Sequence, residues 1–162
     1  MQLSNVEIKP LEPFLRWAGG KRWLVNKENQ ITPPKFNTYL EPFLGSAAVF
    51  FSLPKTPFII SDINAELINC YEAIKNDYFQ IDSLLRAHQA KHSQDYYYQI
   101  RKSKPINQHT KAARFLYLNR TCFNGLYRVN KQGIFNVPIG SRNNALLKNY
   151  RLKEVEASTL PT

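Results

Sequence analysis

A glycine turn and a carboxylate further along the chain are the residues whose types and spacing could hold a nucleoside. Apolar residues precede Gly45, the small Ser46 and Ala47 follow it, and this order predicts a strand that turns sharply into a helix. A second apolar run, residues 58–60, ends at Asp62. An acidic residue about 20 positions past such a turn is placed to accept hydrogen bonds from ribose hydroxyls. The glycine alone indicates only a turn, and the spacing to Asp62 is what favours a nucleoside site.

An aromatic residue, small residues and a cation stand together between Trp17 and Lys21. Such a segment can place an indole ring against a base or a sulfonium group, and the ammonium of Lys21 near a carboxylate. It is not a phosphate-binding P-loop, since the GxxxxGK[ST] spacing is absent. The residues alone leave a second interpretation open, in which Trp17 is a core aromatic and Gly19 and Gly20 form only a turn.

Residues 119–128 are dense in groups that read nucleic acid. Asparagine pairs bidentately with adenine and arginine with guanine, while phenylalanine or leucine can wedge into a base step. Because the segment leads into a predicted hairpin that carries Arg128 and Lys131, it favours a ribbon that enters a DNA groove. An ordinary polar turn between a helix and the hairpin stays open as the alternative.

One pair of histidines has a spacing that metal ligands use on helices. His88 and His92 are four residues apart, but the sequence between them lacks the glutamate of the His-Glu-x-x-His zinc motif. We therefore interpret the pair as part of a solvated helix face and predict no metal site.

Periodicity and chain breakers predict the elements that position these residues. A strand, the glycine turn and a helix are expected over residues 38–52, and a second strand over 58–60. Gly133 supplies the positive φ that a hairpin between residues 126–130 and 134–137 needs. Only a weak helical signal, around Leu146 and Leu147, follows residue 140. Further helices are expected over residues 22–25, 64–77, 80–92, from 96 onward, and 111–119.

The composition indicates a basic, folded protein. Its 162 residues suit one domain or a core with a small subdomain, and 43% hydrophobic content argues against disorder. The net charge of +10 favours a polyanionic partner, most commonly nucleic acid, although a basic solvated surface is also compatible. Two cysteines, no apolar N-terminal segment and no long apolar run predict a reduced, cytoplasmic location without a membrane span.

Four ordered motifs resemble those of the Dam-type site-specific DNA adenine methyltransferases, over about residues 13 to 140. Four motifs in order are far more specific than any one of them. The motifs are PFLRWAGGK at residues 13–21, EPFLG at 41–45, SDIN at 61–64, and the run from FLYLNR at 115–120 through NGLYR at 124–128 to FNVP at 135–138.

The resemblance implies an α/β fold with a Rossmann-like class-I S-adenosylmethionine methyltransferase core, incomplete here, and an inserted helical and β-hairpin target-recognition region. It also implies S-adenosyl-L-methionine as methyl donor, no metal, and methylation of the exocyclic amino group of adenine in double-stranded DNA, as in restriction-modification. The residues that it assigns to the cofactor are Trp17, Lys21, Phe43, Gly45 and Asp62. Those that it assigns to DNA are Phe123, a candidate wedge, with Asn124, Leu126 and Arg128.

One motif of the family is missing from this sequence. Family members carry a catalytic Asp-Pro-Pro-Tyr, whose aspartate and proline carbonyl bind the target amino group and whose tyrosine stacks on the flipped-out base. Here the one Pro-Pro pair, Pro33-Pro34, follows Thr32 and precedes Lys35, so no catalytic residue is assigned. We expect a truncated enzyme that is weak or inactive alone. The alternatives are a non-catalytic DNA-binding fragment, or half of a split methyltransferase whose second chain carries the catalytic strand.

The expected organisation has three parts, in a nucleoid-associated protein of a prokaryote or phage. Residues 1–75 form the cofactor-binding part of the core, residues 76–140 the helical and hairpin recognition region, and residues 141–162 a divergent tail.

Overall fold

Five α-helices and one two-stranded sheet make up the main regular structure of the described residues. The structure is a computed structural model that describes residues 12–25, 32–33, 35–53 and 56–147. Apart from the helix expected after the glycine turn, the helices predicted between residues 22 and 121 are present, with ends shifted by a few residues. In chain order the elements are α1 (Arg22–Val25), β1 (Tyr39–Glu41), a 3-10 turn (Phe50–Ser52), β2 (Phe58–Ile60), α2 (Ala65–Asn76), α3 (Tyr78–Ala90), α4 (Gln94–Lys102), α5 (Gln108–Thr121) and a second 3-10 turn (Phe123–Gly125).

The two predicted strands pair in parallel. Glu41 at the end of β1 lies opposite Ile60 at the end of β2. Beyond this pair, the N–H of Ser61 donates to the carbonyl of Glu41 and the N–H of Leu44 donates to the carbonyl of Ser61, both at 2.9 Å. Because the carboxyl ends of parallel strands meet at one edge, the turn after β1 lies beside Asp62 after β2.

The helix predicted after the glycine turn is wrong in extent. The chain forms only one 3-10 turn there, Phe50–Ser52. The sequence places Pro54 and Pro57 directly afterwards, and proline both removes a backbone donor and disfavours helical conformation in the residue before it. The apolar residues therefore pack as a short turn, with Phe51 buried.

Helix α5 is the centre of the helical layer. It packs against α2, α3 and α4, and every residue from 112 to 119 is buried. A helix that is buried all round must satisfy any polar side chain it carries. Arg114 does so by donating from Nε to the carbonyl of Ile100 at 3.1 Å and from Nη2 to that of Arg101 at 2.8 Å, carbonyls in the last turn of α4.

A polar residue caps the start of each of the four long helices. The side-chain oxygen of the cap accepts a hydrogen bond from a backbone N–H in the first turn, which would otherwise lack a partner. The cap of α2 is Asn64, whose side chain accepts from the N–H of Leu67 at 3.1 Å. The remaining caps are Asp77 for α3, Ser93 for α4 and Asn107 for α5.

The predicted hairpin is present as a short antiparallel ribbon. Val129 pairs with Phe135, and the N–H of Asn130 donates to the carbonyl of Ile134 at 2.9 Å. Gly133 has φ of +74°, as the turn requires. The pairing is too short to count as extended strands.

The described part of the tail contradicts its weak helical signal. Residues 141–147 form no regular structure, and residues 148–162 lie outside the described residues. Leu147 is nevertheless buried against the core. None of the helices described above is both long enough and apolar enough to cross a membrane.

Candidate functional site

The five residues that the sequence assigned to a cofactor meet at one cavity. The cavity has a volume of about 190 Å³ and lies at the edge where both strands end. Two backbone turns and one strand end supply its walls, so residues from three separate segments converge. Its lining consists of Trp17, Ala18, Gly19, Gly20, Lys21, Phe43, Leu44, Gly45, Ser46 and Asp62.

Gly45 has its conformation and both of its backbone polar groups fixed. Its φ is +55°, a value that favours glycine. Its N–H donates to Oδ2 of Asp62 at 2.9 Å, and its carbonyl accepts from the hydroxyl of Tyr71 at 3.2 Å. A Cβ at this position would lie 3.0 Å from Cδ1 of Trp17, so the indole occupies the space that a side chain would need.

Asp62 presents its carboxylate to two backbone amides. Oδ2 accepts from Gly45 and Oδ1 accepts from the N–H of Asn64, each at 2.9 Å. A carboxylate has about four lone-pair sites, so both oxygens keep capacity for further donors. The arrangement fixes the carboxylate in place and leaves it able to bind a pair of hydroxyl groups.

Lys21 is held by Glu41, a residue that the sequence reasoning did not assign to the site. The ammonium of Lys21 lies 2.8 Å from Oε1 of Glu41 and also donates to the carbonyl of Phe43. The other oxygen of Glu41 accepts from the hydroxyl of Tyr39 at 2.9 Å. Glu41 is only 5% exposed. A charged residue at the end of a predicted strand is unusual, and this is the sequence signal that could have identified it.

Trp17 is packed against aromatic residues and also lines the cavity. Its ring stacks on Tyr127 with centroids 5.4 Å apart and lies 6.3 Å from Phe115, so one side of it is packed. The segment after it does form a turn, in which the N–H of Gly20 donates to the carbonyl of Trp17 at 3.1 Å. The indole also lines the cavity beside Gly45.

A second, cationic cavity adjoins the first. Its volume is about 690 Å³, and Trp17 and Ser46 belong to the lining of both. Four arginines line it, and burial, followed by the charges of Arg142 and Arg22, lowers the pKa of Arg16. Like charges held this close favour an anion among them.

The residues assigned to DNA lie on an exposed segment next to the ribbon. We call residues 123–128 the recognition segment. Phe123 is 51% exposed and Leu126 is 38% exposed, both high for large apolar side chains. Asn124 has φ of +53° and is also exposed. Arg128 is exposed, and its Nε donates to Oδ1 of Asn136 at 2.9 Å, which orients the guanidinium.

Three polar residues that the sequence placed at the surface are buried or half-buried. Asn119, grouped with residues that read bases, is 2% exposed and makes all its amide hydrogen bonds inside the protein. Nδ1 of His88 lies 2.8 Å from the hydroxyl of Tyr96, and that of His92 lies 2.8 Å from the hydroxyl of Tyr117. The solvated-face interpretation of the two histidines is therefore wrong, because both are half-buried among tyrosines.

The residues that the structure describes contain no cluster of side chains that could bind a metal ion. No three histidine, cysteine, aspartate or glutamate side chains come together there in a way that could hold an ion. The thiols of Cys70 and Cys122 are buried, and burial raises the pKa of Cys122 to about 11. Neither thiol is suited to act as a nucleophile at neutral pH.

Comparison with known proteins finds one family and several relatives. The model of the D12 class N6 adenine-specific DNA methyltransferases matches residues 17–159. A type II methyltransferase of Lactococcus lactis subsp. cremoris is 41% identical over 150 residues, covering 89% of this chain and 53% of the relative. A type II methyltransferase of Methanocaldococcus jannaschii is 38% identical, covering 90% and 58%. A DNA adenine methylase of Escherichia coli K12 is 37% identical, covering 82% and 49%. The chain thus spans about half the length of the relatives it matches.

Proposed function

Since this chain belongs to the family of D12 class N6 adenine-specific DNA methyltransferases, we propose that it supplies the cofactor-binding and target-reading part of such an enzyme. The reaction is transfer of a methyl group from S-adenosylmethionine to the exocyclic amino group of adenine in double-stranded DNA. Residues 1–75 belong to a Rossmann-like core and residues 76–140 to the recognition region, while the family match continues to residue 159, into the segment expected to be a divergent tail.

The convergence of five residues on one cavity is the observation that carries the proposal. Trp17, Lys21, Phe43, Gly45 and Asp62 come from three segments, yet all line the same space. An unrelated set of core or turn residues would have no reason to meet around a void. The cavity alone is smaller than ligand sites of about 300–1,000 Å³, and the adjoining cavity of about 690 Å³ supplies the remaining space.

The chemistry of these residues fits S-adenosylmethionine. The fixed carboxylate of Asp62 accepts hydrogen bonds from the ribose hydroxyls, and the indole of Trp17 faces the cationic or aromatic part of the cofactor. Gly45 lets the ligand approach the backbone, and Phe43 lies exposed at the rim. The bound cofactor supplies an electrophilic methyl group, whereas this chain binds and orients it.

The recognition segment supports DNA as the substrate. Exposed apolar and polar side chains alternate with the inward-facing Tyr127, so Leu126 and Arg128 lie on the same outer side. Arginine reads guanine in the major groove, and an exposed Phe123 can enter a base step. The alternative of a second chain with the catalytic strand gains no support from the comparisons.

Replacement of Asp62 tests the cofactor site. We expect Asp62→Ala to abolish S-adenosylmethionine binding, measured by isothermal titration calorimetry, while DNA binding stays within about twofold, because the carboxylate bonds the backbone of Gly45 and Asn64 rather than the exposed side chains of the recognition segment. Asp95→Ala is the matched control, since it removes an exposed carboxylate from the first turn of α4. Equal cofactor affinity in Asp62→Ala and the parent would mean that the cavity does not hold the ribose.

Methyl transfer by the 162 residues alone is expected to be weak or absent. The sequence holds no Asp-Pro-Pro-aromatic motif, so nothing in it matches the groups that bind the target amino group. The measurement uses radiolabelled S-adenosylmethionine and unmethylated genomic DNA, with the calorimetric binding constant determined in parallel. Robust turnover by this chain would overturn the expectation. DNA binding without any cofactor binding would instead indicate a non-catalytic DNA-binding protein.

A further inference from the structure

The side chain of Asn119 joins the cofactor cavity to the recognition segment. Its Oδ1 accepts from the N–H of Arg16 at 3.1 Å, and its Nδ2 donates to the carbonyl of the same residue at 2.8 Å. Nδ2 also donates to the carbonyl of Gly125 at 3.2 Å. Arg16 directly precedes Trp17 at the cavity, and Gly125 lies inside the recognition segment. One buried amide therefore contacts the backbone of both segments.

The identity of this residue matters because both of its amide atoms are used. The contact needs an acceptor for one N–H and donors for two carbonyls, which a carboxylate or a hydroxyl does not provide together. Asn119 is 2% exposed and lies on α5, so water cannot replace a lost partner at little cost. The amide thus fixes the distance between the two segments from a rigid part of the core.

Three further contacts make the same connection. A Cβ at Gly125 would lie 2.3 Å from Cδ of Arg16, which shows that the arginine stem passes directly over this glycine. Nη1 of Arg16 also donates to the carbonyl of Asn124 at 3.5 Å. Tyr127 stacks on Trp17 with centroids 5.4 Å apart. A displacement of the recognition segment therefore changes the position of the indole.

We propose that Asn119 is a positioning residue that couples DNA binding to cofactor binding, an inference that rests on the proposed function. DNA that orders the recognition segment fixes Trp17 in place through the amide and thereby tightens cofactor binding. Thermodynamic reciprocity requires that the cofactor tightens DNA binding by the same factor. Asn119 itself is buried and contacts neither ligand.

The test uses Trp17 as its own reporter. The chain has two tryptophans, and Trp23 is 65% exposed, so Trp23→Phe leaves Trp17 as the single tryptophan, which is excited selectively over the tyrosines. In this background the dissociation constant of S-adenosylmethionine is measured with and without a saturating synthetic duplex pool of randomised, unmethylated sequence. The coupling factor is the dissociation constant without DNA divided by that with DNA. We expect a factor of at least about five in the parent, and a factor near one, meaning no effect of DNA, in Asn119→Ala. Cofactor affinity without DNA should change less than about threefold in that variant.

Two more variants separate coupling from folding. Thr121→Val removes another buried polar group from α5, whose Oγ1 bonds only within the helix to the carbonyl of Tyr117, and it should keep the parental factor. Gly125→Ala forces a methyl group against Arg16 and should lose the factor as Asn119→Ala does, and it decides the matter if Asn119→Ala fails to fold. Equal factors in the parent, Asn119→Ala and Gly125→Ala, or a parental factor of one, overturn the coupling. Absence of cofactor binding in the parent is a different result, which refutes the proposed function.

Discussion

Glu41 shows how a single buried carboxylate organises the proposed cofactor cavity. It holds the ammonium of Lys21 at 2.8 Å, and that ammonium also binds the carbonyl of Phe43, so the carboxylate indirectly fixes the turn that leads to Gly45. An ammonium has three donors, and these two contacts leave one for a ligand. Glu41 therefore determines where the remaining donor points.

We expect Glu41→Gln to weaken both stability and cofactor binding. The amide keeps the shape but removes the charge that pairs with Lys21, which should lower the free energy of unfolding by about 1–3 kcal/mol. Urea denaturation measures the stability, and calorimetry should show at least about fivefold weaker S-adenosylmethionine binding. Glu72→Gln, an exposed position on α2, is the matched control and should change neither quantity. Parental affinity in Glu41→Gln would show that Lys21 needs no partner to bind the cofactor.

The sequence predicted the site residues whose role follows from nearby residues in the chain. It did not predict the role of a residue whose partners are distant in the chain. The spacing of Gly45 and Asp62 along the chain indicates the turn and the strand that connect them. In the structure the N–H of Gly45 donates to Oδ2 of Asp62 at 2.9 Å. Asn119 was grouped with base-reading residues because asparagine can pair with adenine and the run from 119 to 128 is rich in such groups. Only the packing of α5 against the segment at Arg16 shows that it faces inward. Spacing along a chain cannot reveal a contact between positions this far apart.

The junction of α3, α4 and α5 is built on histidine and tyrosine. His88, near the end of α3, contacts the hydroxyl of Tyr96 on α4 and stacks on Tyr117 of α5 with centroids 5.0 Å apart. Burial, and to a smaller extent the charge of Lys91, lowers the pKa of His88 from 6.5. The folded protein therefore favours the neutral imidazole that this junction packs.

We expect this junction to make the protein sensitive to mild acid. A lowered pKa in the folded state means that the unfolded chain binds the proton more readily, so the contribution of His88 is complete above about pH 6.5 and is lost as the pH falls below it. Thermal unfolding between about pH 7.5 and pH 5.5 should show this decrease in the parent, and a shallower one in His88→Gln. The same slope in both proteins would place the acid sensitivity elsewhere.

At the same scale, element type was predictable where burial and periodicity agree. Helix α5 and strands β1 and β2 carry strong apolar patterns and were predicted correctly. The segment after Gly45 has an equally apolar pattern but forms a single 3-10 turn, because two prolines close behind it leave no room for a helix. The ribbon around Gly133 was predicted from the glycine that its turn requires. The shortness of its strand pairing could not be predicted, because it depends on packing against the rest of the protein.

The charge of the whole molecule makes it suited to a polyanion, but does not select the place of contact. A net charge of +10 attracts DNA from any direction and makes the affinity depend on salt concentration. Specific reading requires a cation held in a defined orientation near base edges. We propose Arg128 for this role, because Asn136 holds its Nε at 2.9 Å and apolar side chains are exposed around it.

Two arginine variants with the same net charge therefore separate the effect of an oriented guanidinium on DNA binding from the effect of net charge. Arg128→Ala and Arg86→Ala each remove one positive charge, but Arg86 lies on α3, where it pairs with Asp82 at 2.7 Å. We expect Arg128→Ala to weaken binding to unmethylated genomic DNA by about tenfold, measured by fluorescence anisotropy, and Arg86→Ala by less than about twofold. Asn136→Ala should reproduce part of the loss, because it frees the guanidinium without removing its charge. If both arginine variants weakened binding equally at every salt concentration, net charge alone would account for DNA binding, and the recognition segment would have no special part in it.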